Sequence, residues 1–399
     1  MQQLVITRHG QKIISSLFEQ NTMIQVHIER AKDTSLLGNV YVGKVKNIVK
    51  NINAAFVEIA DGQMCYLALG ETRTPIFCNA KKNDKICIGD ELLVQVSKDA
   101  IKTKNPSVTT KLQFPGKYVV LTHGDTRISI SSKIRENEDR QRLHKLVKDA
   151  VGKKTGFGMI VRTNALLAEE TLVETEIKAL VSIYQEILQT GRYKSSFSQL
   201  YQAPNGFLCD IRDGYEDKID RIITDDEEIY QQIERYLSNY QPQDLGKLAK
   251  YEDQMISLNH LYGVETKIEK AMQERVWLKS GGYLVIQPTE ALTVVDVNTG
   301  KAIAGKKAAE KHFLKINLEA AVEIARQIRL RNLSGILIID FIDMEQKEAK
   351  KELIERLERE IKKDPVKTVF VDMTKLNLVE LTRKKVRKPL HEQWKDCES

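Results

Sequence analysis

The sequence predicts a multidomain chain of α+β class, on three observations. At 399 residues it exceeds the usual span of one core. Between about Leu37 and Pro115, five short alternating stretches follow one another. Beyond Tyr283, strand-like and helix-like stretches alternate, as in a βαβ unit.

The opening stretch LVITRHGQKIISSLFEQNTMIQVHIER alternates apolar and polar residues around turn-like breaks and reads as a small antiparallel unit. So short a set of hairpins is marginal alone. It is therefore expected to pack on a later part of the chain, with another domain inserted between. The next segments, NVYVGKVKNIV, AAFVEIA, QMCYLAL, DELLVQVSK and SVTTKLQF, read as five strands of a closed β-barrel of the OB type. Alternation assigns Ala55, Val57 and Ile59, and Cys65, Leu67 and Leu69, to its interior. Phe56 and Tyr66 then face outward, with Lys44 and Lys46 on the outer parity of their own strand. Rings beside cations suit single-stranded nucleic acid, whose bases stack for ~1–3 kcal/mol each while the cations follow the backbone. Rim packing is the alternative for the two rings.

From Gly116 to about Gln202 come the strand-like KYVVLT, RISIS and GFGMIVRTNA, then a long helical stretch, EETLVETEIKALVSIYQEILQTG. The third strand ends on Arg162 and Thr163, a guanidinium beside a hydroxyl that suits an anion, although a plain strand end carries the same pair. FLCDIRD and KIDRIITDD read as strands, and DEEIYQQIERYLSNY and DQMISLNHLYGVETKIEKAMQERV as helices.

A hairpin, YLVIQPTEALTVVDVNTG, places Asp296 and Asn298 on one strand face. A helix with Leu318, Ala321, Val322, Ala325 and Ile328 follows, Asn317 its expected N-cap, and then the strand GILIIDFIDM. A right-handed crossover makes the two strands parallel, so Asp296 and Asp340 fall at C-terminal strand ends, where open α/β sheets hold ligands. Asp343 lies three positions beyond Asp340, on the opposite strand face, and is expected to cap the next helix. Two carboxylates and a carboxamide are hard oxygen ligands suited to magnesium, with manganese an alternative. Such an ion orients a phosphodiester and activates water. Loop capping by both aspartates is the competing account.

Composition narrows the classes. The first residues lack a signal-peptide apolar region, and no window reaches the ~18 apolar residues of a membrane span, so no membrane span and a cytoplasmic setting are expected. Five cysteines without a CxxC pair indicate reduced thiols. A net charge of +7 is too modest to identify a nucleic-acid binder by itself.

Three segments, TEALTVVDVNTGKA, NLEAAVEIARQIRLRNLSGILIIDFIDM and LNLVELTRKKVRKPL, closely resemble the signature catalytic segments of the ribonuclease E/G family. Weaker similarity extends over nearly the whole chain, including GNVYVGKVKNIVKNINAAFVEI and GMIVRT. That family comprises endoribonucleases that cut single-stranded RNA, often A/U-rich, in ribosomal RNA processing and messenger RNA decay. The resemblance implies Asp296 and Asp340 as magnesium ligands with Asn298 beside them, and Phe56, Tyr66 and Lys104 as RNA contacts. It implies a 5′-monophosphate pocket at Gly116, Val120, Arg162, Thr163 and Lys367. An arginine that some relatives place near this pocket aligns about Ser132, beside Lys133. Of the family's zinc-sharing CPxCxG motif only Cys397 is present, so zinc is not expected. A homo-oligomer stays open.

The implied architecture is an RNase H-like subdomain (1–36 with 203–275), an inserted OB-fold RNA-binding domain (37–115), a 5′-sensor subdomain (116–202), a DNase I-like catalytic subdomain (276–390) and a tail (391–399). The expected activity is magnesium-dependent cleavage of single-stranded RNA. A non-catalytic RNA-binding factor using the barrel, and a metal-dependent phosphatase or DNase, are the rival readings.

Overall fold

A computed structural model of the chain describes residues 1–31, 35–72, 74–79, 81, 83–100, 105–152, 156–214, 219–253, 255–300 and 306–397, the side chains of 306–309 excepted. The chain divides into two compact units, Met1–Asp33 with Lys218–Ser399, and Thr34–Asp217. Among the described residues no helix is long and apolar enough to cross a membrane.

In the first unit, one sheet has the order Leu248–Lys250, Ile219–Thr224, Gln2–His9, Lys12–Glu19, Thr22–Arg30. Gln2–His9 pairs in parallel with Ile219–Thr224, so the opening hairpins are completed by a strand some two hundred residues later. Val5, Ile14, Phe18 and Ile223 form its core with Ile268 of the helix Val264–Met272.

A second sheet in this unit runs Arg275–Trp277, Tyr283–Pro288, Leu292–Asn298, Gly335–Asp340, Leu378–Arg383, Thr368–Met373. Leu284, Ile286, Val295, Val297, Leu337 and Ile339 point to one face. There they share a core with Ile316, Ala320, Ile324 and Ile328 of the helix Lys306–Leu330 and Leu353 and Leu357 of the helix Lys347–Ile361. Alternation turns Asp296 and Asp340 to the other face.

The second unit holds a closed five-stranded barrel, Val40–Val49, Ala54–Ala60, Gln63–Ala68, Ser107–Thr109, Glu91–Lys98, sealed where the last pairs with the first. Ala55, Val57, Ile59, Cys65 and Leu67 fill it. This matches an OB-type domain, whose closure leaves no free edge. A four-stranded sheet, Ile128–Ile130, Phe157–Val161, Val119–His123, Gln113–Pro115, packs under the helix Glu170–Gly191.

Several elements differ from the sequence reading. SVTTKLQF splits at a turn where Leu112 N–H donates to Thr110 O, and its second half joins the four-stranded sheet. FLCDIRD is the helix Gly206–Arg212, burying Phe207 and Ile211 at helical spacing that a seven-residue window does not distinguish from alternation. DQMISLNHLYGVETKIEKAMQERV breaks into Leu258–Tyr262 and Val264–Met272 at Gly263, whose φ of +56° ends the first helix. The helix Asn137–Val151 and the strand Leu378–Arg383 were not anticipated. At the expected tail, the helix Leu390–Asp396 docks on the first sheet, its Gln393 Oε1 accepting the Ile28 N–H at 2.9 Å.

Candidate active site

Asp296 and Asp340 are direct register partners on parallel strands. Partnered residues on adjacent strands project to the same face about 4.8 Å apart. Both are exposed, and the Asn298 carboxamide donates to Asp296 Oδ2 at 2.8 Å, fixing that carboxylate. Partial burial, followed by the charges of Asp296 and Asp343, pushes the Asp340 carboxyl above its usual range. A divalent cation between the pair would reverse that repulsion, so the residues fit magnesium. Among the described residues no group of three or more His, Cys, Asp or Glu is placed to hold a metal. The site is thus a two-carboxylate platform, and magnesium, which keeps several waters, accepts such a platform.

Asp343 is not the helix cap. The strand ends at Asp340, and a loop carries Asp343 to accept from Asn377 Nδ2 at 3.0 Å, Asn377 in turn accepting from Lys350 Nζ at 2.8 Å. The cap comes from the preceding helix: the Glu310 carboxylate accepts the Glu345 N–H at 3.2 Å and the Gln346 N–H at 3.0 Å. Nor is Asn317 a cap. It sits mid-helix, fully buried, and bonds the Ile342 backbone.

Behind Asn298 the backbone is crowded. A Cβ on Gly300 would fall 2.2 Å from Gly281 O, and one on Gly282 2.7 Å from Asn298 O, so TG and SGG must cross as bare backbone. Glu319 anchors that turn, accepting from the Lys279 N–H at 2.6 Å and the Ser280 N–H at 3.2 Å. Sequence reasoning missed Glu319 and Asn377 and gave Asn317 a different role; only the paired glycines signalled the close crossing.

On the barrel, Phe56 and Tyr66 are cross-strand partners with ring centroids 6.3 Å apart in an edge-on pair. Lys44 is the register partner of Glu58, and Lys46 Nζ lies 2.7 Å from Glu58 Oε2, a hydrogen bond that lowers the Glu58 carboxyl. Lys46 is therefore an ion-paired cation. Lys104 lies outside the described residues.

Of the expected anion pocket, Arg162 and Gly116 come together: Arg162 Nη1 donates to Gly116 O at 2.6 Å and to Asp213 Oδ1 at 2.7 Å. Asp213, half-buried and paired with Arg212 and Arg162, is held down to about 2. Thr163 Oγ1 sits 3.3 Å from Ser131 Oγ, a hydroxyl that the sequence did not single out. Its signal is the register Ile130 with Val161, which sets Ser131 beside Arg162. Val120 pairs with Pro115 and Ile160 in the same sheet. A Cβ on Gly116 would meet the Glu176 carboxylate at 2.4 Å, so that side chain would have to shift to admit one. That carboxylate accepts from the Lys117, Tyr118 and Val119 N–H groups at 2.6–2.8 Å. Burial nevertheless raises its pKa. Lys367 is exposed and belongs to the other unit.

The chain is similar to Ribonuclease G of Escherichia coli (strain K12), 33% identical over 384 residues, covering 94% of this chain and 78% of the relative. Ribonuclease G of Haemophilus influenzae is 31% identical over 385 residues, with the same two shares. Ribonuclease E of a Nostoc strain is 31% identical over 402 residues, covering 99% of this chain and 57% of the relative. The model of the Ribonuclease E/G family matches residues 113–386, which contain both carboxylates and the Arg162 cluster. With a family match of that extent and relatives a third identical along nearly all of its length, this chain belongs to the ribonuclease E/G family.

Proposed function

We propose that the chain, an endoribonuclease of this family, cuts single-stranded RNA with magnesium held by Asp296 and Asp340. The observation that carries this reading is the register pairing of those two carboxylates at the ends of parallel strands, on the face away from the helices. When bound, the ion supplies charge neutralisation and a water of lowered pKa. Asn298 holds Asp296 in one orientation through its 2.8 Å hydrogen bond. Phe56 and Tyr66 stack bases on the barrel, with Lys44 nearby as a backbone cation. Arg162 and Thr163, with Gly116 and Val120, receive a 5′-monophosphate. The Arg162 Nη1 bonds orient the guanidinium, and among the described residues its Nε and Nη2 carry no further bond. The roles of Lys367 and Lys104 rest on the resemblance alone.

The four-subdomain division, a cytoplasmic setting, a homo-oligomer, and a role in ribosomal RNA processing and messenger RNA decay belong to the same proposal. The test compares 5′-monophosphorylated and 5′-triphosphorylated single-stranded RNA with magnesium, with EDTA, and with Asp296→Asn. Cleavage should need magnesium and vanish in the variant while binding persists. Undiminished cleavage by Asp296→Asn would remove the site assignment, and equal rates on the two RNAs would remove the 5′ preference.

A further inference from the structure

We infer that Arg275, Trp277 and Tyr283 form a nucleobase-stacking subsite beside the carboxylate pair. The inference rests on the proposal that this chain cuts RNA, and extends it to residues outside the signature segments. The register places the three residues. Trp277 pairs with Tyr283, and Tyr283 with Asn298 on the next strand. Arg275 pairs with Val285, Val285 with Asp296, and Asp296 with Asp340. Cross-strand partners share a face, as do positions two apart on one strand. Arg275, Trp277, Tyr283, Asp296, Asn298 and Asp340 therefore all project from one side of the sheet, while Leu284, Ile286, Val295 and Val297 fill the core on the other.

The trio forms one aromatic and cationic surface. The Trp277 and Tyr283 rings lie 5.2 Å apart, and the Arg275 guanidinium stands 4.6 Å from the Tyr283 centroid and 5.8 Å from that of Trp277. Trp277 is nonetheless 65% exposed, at the edge strand of the sheet. An indole left this open adds little burial to the fold. Its exposed face, backed by a guanidinium, suits base stacking with a cation–π contribution. Strand spacing sets the reach: the Tyr283 backbone is about 5 Å, and that of Trp277 about 10 Å, from the strand bearing Asp296 and Asn298. A phosphodiester at the carboxylates thus brings a flanking base over these rings. Stacking has no base-edge readout, so the subsite tolerates any base.

The protein contains two tryptophans, Trp277 and Trp394. Trp394→Phe leaves Trp277 as the sole reporter, and Asp296→Asn keeps the RNA intact. With magnesium present, a short single-stranded RNA should quench Trp277 emission saturably, and the same backbone made abasic should not. In the otherwise wild-type chain, Trp277→Ala should lower kcat/KM about tenfold and Trp277→Phe much less, with circular dichroism confirming that both fold. Unmoved emission while anisotropy reports RNA bound overturns the subsite and leaves the ribonuclease reading intact. Equal quenching by abasic RNA also overturns it. Failure of the wild-type chain to cleave RNA at all removes the ribonuclease reading and the subsite with it.

Discussion

Asn317 and Ile342 exchange two hydrogen bonds: the Asn317 carboxamide donates to Ile342 O at 2.8 Å and accepts from the Ile342 N–H at 3.1 Å. A side chain thus stands in for a strand neighbour two residues past Asp340, where the sheet has stopped, and fixes how the chain leaves the carboxylate pair. Asn317→Leu keeps the branched shape and orphans both groups. The expected cost is about 2–6 kcal/mol, since each unsatisfied buried group costs roughly 1–3 kcal/mol. Urea denaturation measures it. If Asn317 positions the proposed catalytic strand end, kcat should fall with little change in KM.

Glu176 gathers three successive backbone N–H groups against Gly116. Gly116→Ala forces a methyl into that carboxylate and should destabilise by about 1–3 kcal/mol, the usual range for overpacking. Any 5′-monophosphate preference should fall with it, because the displaced turn carries the carbonyl that orients Arg162. Thermal denaturation and the rate ratio between the two RNAs separate these effects.

Arg383 and Asp364 form an ion pair at 2.7 Å with both side chains almost wholly buried. Asn332 Oδ1 and Leu333 O accept from Arg383 Nη1. Arg383→Met strands the Asp364 carboxylate and should cost about 3–5 kcal/mol in chemical denaturation. Arg383→Met combined with Asp364→Leu should recover a large part of that loss, because the buried carboxylate left without its guanidinium is then gone.

His123 predicts a pH dependence in the second unit. Its Nδ1 lies 2.7 Å from the Tyr184 hydroxyl and its Nε2 2.9 Å from Thr74 O, and burial lowers its pKa below the ordinary histidine value of about 6.5. A folded pKa below the unfolded one means that the contribution to stability is complete above about 6.5. It is lost as pH falls through that value toward the folded pKa. Between about pH 7 and pH 5, wild type should therefore lose more stability than His123→Gln, as read by urea midpoints at each pH.

The parts of this fold that were legible in the sequence are those in which one periodicity runs long enough to exclude the other. Glu170–Gly191 buries Val173, Ile177, Leu180, Tyr184 and Ile187 at helical spacing, and the barrel core takes Ala55, Val57 and Ile59, then Cys65 and Leu67, at alternate positions. The crossover rule likewise made Asp296 and Asp340 neighbours on parallel strands, and the register agrees. Short segments and long-range partners were not legible. Gly206–Arg212 is too brief to show its period. Asp343 looked like a cap because nothing local reveals that Glu310, 35 residues earlier than Glu345, supplies those acceptors instead. Asn317 looked like a helix start because Asn favours that position. Its actual partner, Ile342, is close only after the crossover has formed.

The parallel pairing of Gln2–His9 with Ile219–Thr224 also sets a timetable for synthesis. At ribosomal rates of about 5–20 residues per second, roughly 10–40 s pass between translation of the first strand and of its partner. During that interval the nascent hairpins present the unpaired side of Gln2–His9 as a sheet edge, bearing Leu4, Val5 and Ile6, which are buried once the unit is complete. A bare apolar edge of this kind invites pairing with another chain. The nascent protein should thus be most prone to aggregation, and most in need of a chaperone, before residue 219 leaves the ribosome.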